Sequence, residues 1–201
     1  MAITLELLEP FVWTDFRLAV LFTVFLPLIL LIWAFVKKAD AIQRLLIIYW
    51  RVASLLAITV YLMIGAAPIS FLSSLMARFL IPVSLWFWED LNEEIDDQRD
   101  SSLKLAFNSW RWAVTIYSSL GTLVQIPFVT CAFKSKADIL NDGFCSVWLD
   151  PPWFYKELFH PNFGPNFLGF VGFLALVVYV IYLSYFLMVK LQRQGRSATG
   201  N

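Results

Sequence analysis

Metal and proton chemistry have very little to work with in this sequence. One histidine and two cysteines occur in 201 residues, too few for a zinc cluster, an iron–sulfur centre or paired haem ligands. Charge is scarce as well: 15% of residues are charged, where a soluble domain carries about 25%. Lys plus Arg is 15 and Asp plus Glu is 15, so no basic surplus points to nucleic acid. With 8 glycines and 9 prolines, the chain is neither collagenous nor low-complexity. What it has is apolar surface, with 60% hydrophobic and 17% aromatic residues. A single unit of this length cannot bury that much in its own core. The composition excludes a soluble globular domain and leaves a polytopic membrane protein.

A bilayer core about 30 Å thick takes roughly 20 apolar residues per helix. Five stretches qualify, at residues 18–36, 45–67, 69–88, 112–133 and 167–189. They are continuous runs rather than alternating strands, so the expected class is all-α, a single membrane domain over residues 1–201 with five transmembrane helices. The stretch 69–88 is the doubtful one, since it holds Arg78 and Pro82 and follows 45–67 after a very short turn; a re-entrant segment is the alternative. The distribution of Lys and Arg arbitrates. With five crossings, Lys37, Lys38, Arg44, Arg99, Lys104, Arg111, Lys190, Arg193 and Arg196 share one side. Arg17, Lys134, Lys136 and Lys156 share the other. That puts the N-terminus outside and the C-terminus in the cytoplasm. The first apolar run lacks a preceding basic region and is too long for a cleavable signal.

Cys131 and Cys145 then both fall outside, where an oxidising compartment would permit a disulfide. A buried free thiol at Cys131 is the alternative.

The densest charge is EDLNEEIDDQRD, Glu89 to Asp100, in a cytoplasmic loop spanning 89–111. Asp96-Asp97-Gln98-Arg99-Asp100 has the DDxxD form that holds magnesium against a diphosphate. The only other acidic pair of note, Asp138 and Asp142, lies across the membrane. An exposed helix extension or loop, docking a partner or repelling lipid headgroups, is the plainer reading. No Asp or Glu occurs within the five apolar runs, which argues against a proton-relay transporter. It also leaves Arg78 without an intramembrane carboxylate. Arg78 is therefore expected to dock a lipid headgroup, a pigment carbonyl or a partner subunit, or else to snorkel or make a polar contact to Ser70, Ser73, Ser74 or another helix. Arg51, two turns into its helix, is expected to snorkel or to join such a docking site. The outer loop 134–166 contains PPWFYKELFHPNFGP. Trp153, Phe154 and His160 there read as an aromatic, interfacial docking segment. His160, Asn108, Gln125 and Asn166 are weak candidate pigment ligands; chlorophyll or carotenoid are the cofactors such ligands would serve.

The segments LEPFVWTDFRLAVLFTVFLPLILLIWAFV, AIQRLLIIYWRVASLLAITVYLMIG and FCSVWLDPPWFYKELFHPNFGPNFLGFVGF resemble a family of small integral membrane proteins of unknown function from cyanobacteria. The resemblance implies the thylakoid or plasma membrane of an oxygenic phototroph and a place beside photosynthetic complexes. It carries over no catalytic residue. The expected function is a non-enzymatic accessory or assembly subunit of a larger membrane complex, with membrane lipids and other membrane subunits as partners. A small transporter or channel component and a membrane-embedded lipid or isoprenoid enzyme are the alternatives.

Orientation has a direct test. Single cysteines introduced at Ser102 and Ser197 in a cysteine-free background should be labelled from the cytoplasm, and one at Asp142 from outside. Labelling of positions 102 and 142 from the same side would contradict five crossings.

Overall fold

The computed structural model describes residues 2–190 and 197, and among them there is helix but no strand. Five helices are long and apolar enough to cross a membrane: Leu8–Lys37, Asp40–Ile64, Ile69–Trp86, Ser102–Phe133 and Pro165–Val189. The first begins at Leu8 rather than residue 18, and the fourth at Ser102 rather than 112. The cause is the same in both. Charge-free runs mark where a helix is greasy, whereas the helix itself continues outward through polar residues that it satisfies internally.

The first span is one rod made of α1 (Ala2–Val20), a π-helical turn (Leu21–Phe25) and α2 (Leu26–Lys37). The wide turn sits directly before Pro27, which has no N–H to give to the carbonyls one turn back. Leu26 N–H bonds Leu21 O. The exposed carbonyls of Phe22 and Thr23 are met by side chains from other helices. The Trp110 indole N–H donates to Phe22 O at 2.8 Å, and the Tyr49 hydroxyl donates to Thr23 O at 2.8 Å. The two rings pack edge to face at 5.1 Å. A backbone defect in the first span thus becomes its anchor to the second and fourth.

Lys38, at φ 53°, ends α2 in the left-handed conformation, and α3 (Asp40–Ile64) runs back. Its far end turns at Ala66, φ 50°, with Ala66 N–H on Met63 O and Ala67 N–H on Leu62 O. This tight turn and Pro68 start α4 (Ile69–Trp86) at once. The doubtful third segment is therefore a continuous helix through Pro82, about 27 Å long at 1.5 Å per residue.

Of the helix extension and the loop expected for the acidic stretch, the structure shows the helix. α5 (Glu89–Asp97) lies over the start of α3 and buries Leu91 and Ile95 beside Leu45 and Leu46. Ser101 caps α6 (Ser102–Gln125) through its hydroxyl. Arg111, expected among the flanking basic residues, lies inside α6 and is buried.

At the opposite end, the segment expected as an outer loop is a folded helical cap. A 3-10 stretch (Ile126–Phe133) leads into α7 (Lys136–Asn141), whose Ser135 and Asp138 form a capping box. Then come α8 (Gly143–Ser146), a 3-10 turn (Val147–Leu149) and α9 (Asp150–Phe159). Cys131 and Cys145 are joined by a disulfide with Cα atoms 5.9 Å apart. Val12, Phe71, Phe128, Ile139, Trp148 and Leu149 fill the core beneath it.

The last span, α10 (Pro165–Tyr185), is the most exposed and packs on α3. A Cβ added at Gly65 would meet the Gly169 Cα at 2.7 Å. Only glycine at both positions allows this approach, the usual device for helix contact in lipid.

Candidate functional site

The polar residues of the membrane region converge on one face of α4. Ser70, Ser74 and Arg78 follow each other at four-residue spacing and are all buried, so they form one stripe along the helix. The Ser74 hydroxyl accepts from Gln125 Nε2 at 2.6 Å, and Ser73 bonds Thr59 at 2.6 Å. Arg78 is the deepest charge of the stripe, near the middle of α4 and only 7% exposed.

Arg78 has a carboxylate partner, contrary to the expectation from the sequence. Asp15 of α1 receives both guanidinium nitrogens: Nη1 donates to Oδ1 at 3.0 Å, and Nη2 pairs with Oδ2. The fork geometry is the one Arg makes best. The Tyr117 hydroxyl of α6 lies 2.9 Å from both the backbone oxygen and Oδ1 of Asp15. Its ring also sits 5.6 Å from the guanidinium carbon. Gly121, one turn further along α6, makes room: a Cβ there would lie 2.1 Å from Arg78 Nη1. Asp15 escaped notice because it stands three residues before the first charge-free run, yet the helix carries it to the depth of Arg78. The arrangement removes Arg78 from the docking residues. It is a closed clamp of α1, α4 and α6, not a group open to lipid or a partner. In isolation either charge would be strongly disfavoured at this depth.

Arg111 was missed as a structural element. Its guanidinium lies 4.1 Å from the Trp86 ring centroid, and Nη1 donates to Asn92 Oδ1 at 2.7 Å. It therefore ties α5 to the start of α6. Arg51 is different: it is exposed on α3 and donates to the Tyr182 hydroxyl at 3.3 Å. It borders an apolar cavity of about 160 Å³ between α3, α4 and α10, lined by Ile48, Val52, Leu80, Val83 and Phe186 among others.

In the cap, Trp153 turns inward and its indole donates to Ile64 O at 3.1 Å, closing the end of α3. Phe154 stays 53% exposed and meets Trp13 edge on at 5.5 Å. His160 Nε2 lies 2.8 Å from the Tyr61 hydroxyl, with Tyr155 against both rings. Burial first, and then Tyr61, pushes the Tyr155 phenol up. Burial and the neighbouring Glu9 raise the Asp150 carboxyl. The hydrogen bond from Lys134, followed by the Phe144 N–H, holds Asp142 below the usual carboxylate range. Among the other candidate pigment ligands, Gln125 is bound to Ser74 and Asn166 to Lys136, while Asn108 Oδ1 is buried without a protein partner among the described residues. Asp96 and Asp97 are exposed on α5, at the end of the bundle opposite Asp138 and Asp142. No cluster of three or more metal-ligating side chains occurs among the described residues.

Fold and site together define an all-helical protein with five helices suited to a membrane, held by an internal ion pair. Residues 9–199 match the family described as "Protein of unknown function (DUF3177)", and the chain belongs to that family. No curated protein and no solved structure matches the chain.

The clamp makes a prediction whose sign is opposite to helix propensity. Gly→Ala in a helix interior ordinarily gains about 1 kcal/mol. Because Asp15 pins the guanidinium, Gly121→Ala should instead cost about 1–3 kcal/mol by overpacking, and Tyr117→Phe about 1 kcal/mol by loss of one hydrogen bond. Thermal unfolding in detergent reads both, and a stabilised Gly121→Ala protein would contradict the clamp.

Proposed function

We propose that the protein is a non-enzymatic accessory or assembly subunit of a larger membrane complex. The observation that carries this reading is a separation in space. The convergent polar groups, Asp15, Arg78 and Tyr117, are closed on one another inside the bundle. Two accessible cavities lie elsewhere, one between α3, α4 and α10 and one between α3 and α10, and their walls are mostly aliphatic and aromatic. An enzyme or a transporter brings reactive or ion-binding groups to its accessible space. Here that space suits apolar contact, and the clamp suits rigidity. The acidic surface of α5 at one end and the exposed Phe154, Leu158 and Phe159 of the cap at the other supply two further contact faces.

The setting we infer is the thylakoid or plasma membrane of a cyanobacterium, beside photosynthetic complexes. The resemblance of the three quoted segments supports it, by association alone. The same setting puts the disulfide-bearing cap in the lumen or periplasm, where such bonds persist, with both termini placed as the basic residues suggest, N-terminus outside and C-terminus in the cytoplasm. Bound chlorophyll or carotenoid belongs to this proposal as an accompaniment and not as its basis.

The test is isolation of the intact protein from its own membrane. Tagged full-length protein extracted in mild detergent should run on native gels with other membrane subunits in fixed stoichiometry. Recovery only as a free homo-oligomer would overturn the proposal in favour of a small transporter or channel component.

A further inference from the structure

Five arginines lie within the described helices suited to a membrane, and the bundle treats them in two ways: Arg17 of α1 is exposed, as are the two of α3, and the remaining two are not. Arg78 and Arg111 are buried and held by named partners. Arg44 and Arg51, both on α3, are exposed. No ion pair among the described residues engages either of them. Seven residues separate them, which is two helical turns, so they lie on the same face about 10 Å apart along the axis. Arg44 stands near the end of α3, and Arg51 one level deeper. A helical Arg side chain leans toward the N-terminus of its helix, so Arg51 reaches toward Arg44 and the membrane surface.

The same face continues into the cavity between α3, α4 and α10. Ile48 lies between the two arginines and lines it, and Arg51 itself borders it. Tyr182 completes the group. Its hydroxyl accepts from Arg51 Nη1 at 3.3 Å, which leaves its own O–H free to donate. One guanidinium and a phenol therefore stand at the edge of an apolar slot, with the exposed Arg44 two turns away on the same face of α3.

We infer that this groove binds an anionic phospholipid of the surrounding bilayer. The headgroup phosphate is held by Arg51 and the Tyr182 hydroxyl, with the Arg44 charge two turns nearer the end of α3 favouring its approach, and one acyl chain enters the slot between Val52, Leu80, Val83 and Leu183. The charge argument asks for an anion, because a lipid-facing guanidinium at this depth is costly until it is neutralised or hydrated. The slot of about 160 Å³ takes an acyl segment and not a helix, which is about 10 Å wide with its side chains, and the wider open groove of about 920 Å³ that Arg51 and Tyr182 also border gives room for the rest of the lipid. The position agrees, since the arginine pair climbs from the slot toward the end of α3, the path a phosphate takes from the interface. The site stands independently of whether a protein partner exists.

The experiment uses purified full-length protein, stripped of lipid in detergent and titrated with phosphatidylglycerol or phosphatidylcholine of identical chains. Retained lipid is counted by native mass spectrometry. Wild type should prefer phosphatidylglycerol by at least about tenfold, the worth of one charge-assisted contact. Arg51→Leu should abolish the preference, and Arg51→Lys should keep part of it. Val83→Trp, which fills the slot, should reduce binding of both lipids. Equal retention of the two lipids by wild type would overturn the inference, as would an unchanged preference in Arg51→Leu. So would an Arg51→Leu protein that loses a protein subunit while keeping its preference for phosphatidylglycerol, since the face would then belong to a helix. If Arg51→Leu fails to fold, the wild-type preference, Arg51→Lys and Val83→Trp still decide the matter.

Discussion

A guanidinium halfway along a membrane helix has no water to solvate it, and the bundle around it must be built so that it meets an acceptor. Arg78 sets that requirement here, and Asp15 meets it. The consequences run outward from the pair. α1 must extend past its greasy segment so that Asp15 reaches this depth. α6 must present Tyr117 to Asp15 and, one turn later, a glycine to the guanidinium. α4 must turn its serine stripe toward the same side. Three helices are thereby fixed in rotation about their axes, which apolar packing alone leaves loosely specified in a solvent as apolar as the side chains. An ion pair of this kind is not a stronger glue than leucine would be. Its effect is to penalise every arrangement in which one charge is left alone.

The same logic appears two turns further along the first span. Pro27 leaves backbone carbonyls without their usual donors, and an unmet carbonyl is costly in lipid. Tyr49 and Trp110 supply the missing hydrogen bonds. The first helix is thus held at two levels, by a charge below the cap and by backbone acceptors nearer the acidic helix. Between these anchors α3 is free to use its remaining faces for α10, through Gly65 and Gly169, and for the groove at Arg51.

Much of this architecture is legible in the sequence, and the parts that are not share a cause. The five helices show as charge-free runs because lipid excludes charge. The same exclusion hides the partner of Arg78, since Asp15 stands outside the charge-free runs. The useful signal was Arg78 itself: a charge that deep demands a carboxylate on a helix flank, and Asp15 in TDFRL is placed at one. The aromatics of PPWFYKELF predict an interfacial helix, and α9 forms there, but they also predict side chains lying at the membrane surface. Trp153 and Trp148 instead point inward, over a core that includes the Cys131–Cys145 link. Arg111 was counted as a flanking charge, and only the fold reveals that Trp86 covers it. Arg51 alone among the singled-out cations remains open to a ligand.

The central claim is that Asp15 and Arg78 act as one unit. A double-mutant cycle on thermal or denaturant unfolding in detergent tests it most directly, with Asp15→Leu, Arg78→Leu and the two combined. Each single change strands a buried charge and should cost about 3–5 kcal/mol, while the double change, which strands none, should cost less than either. Additive losses in the double variant would show that the two residues stabilise the bundle independently, and the account built on their pairing would fall.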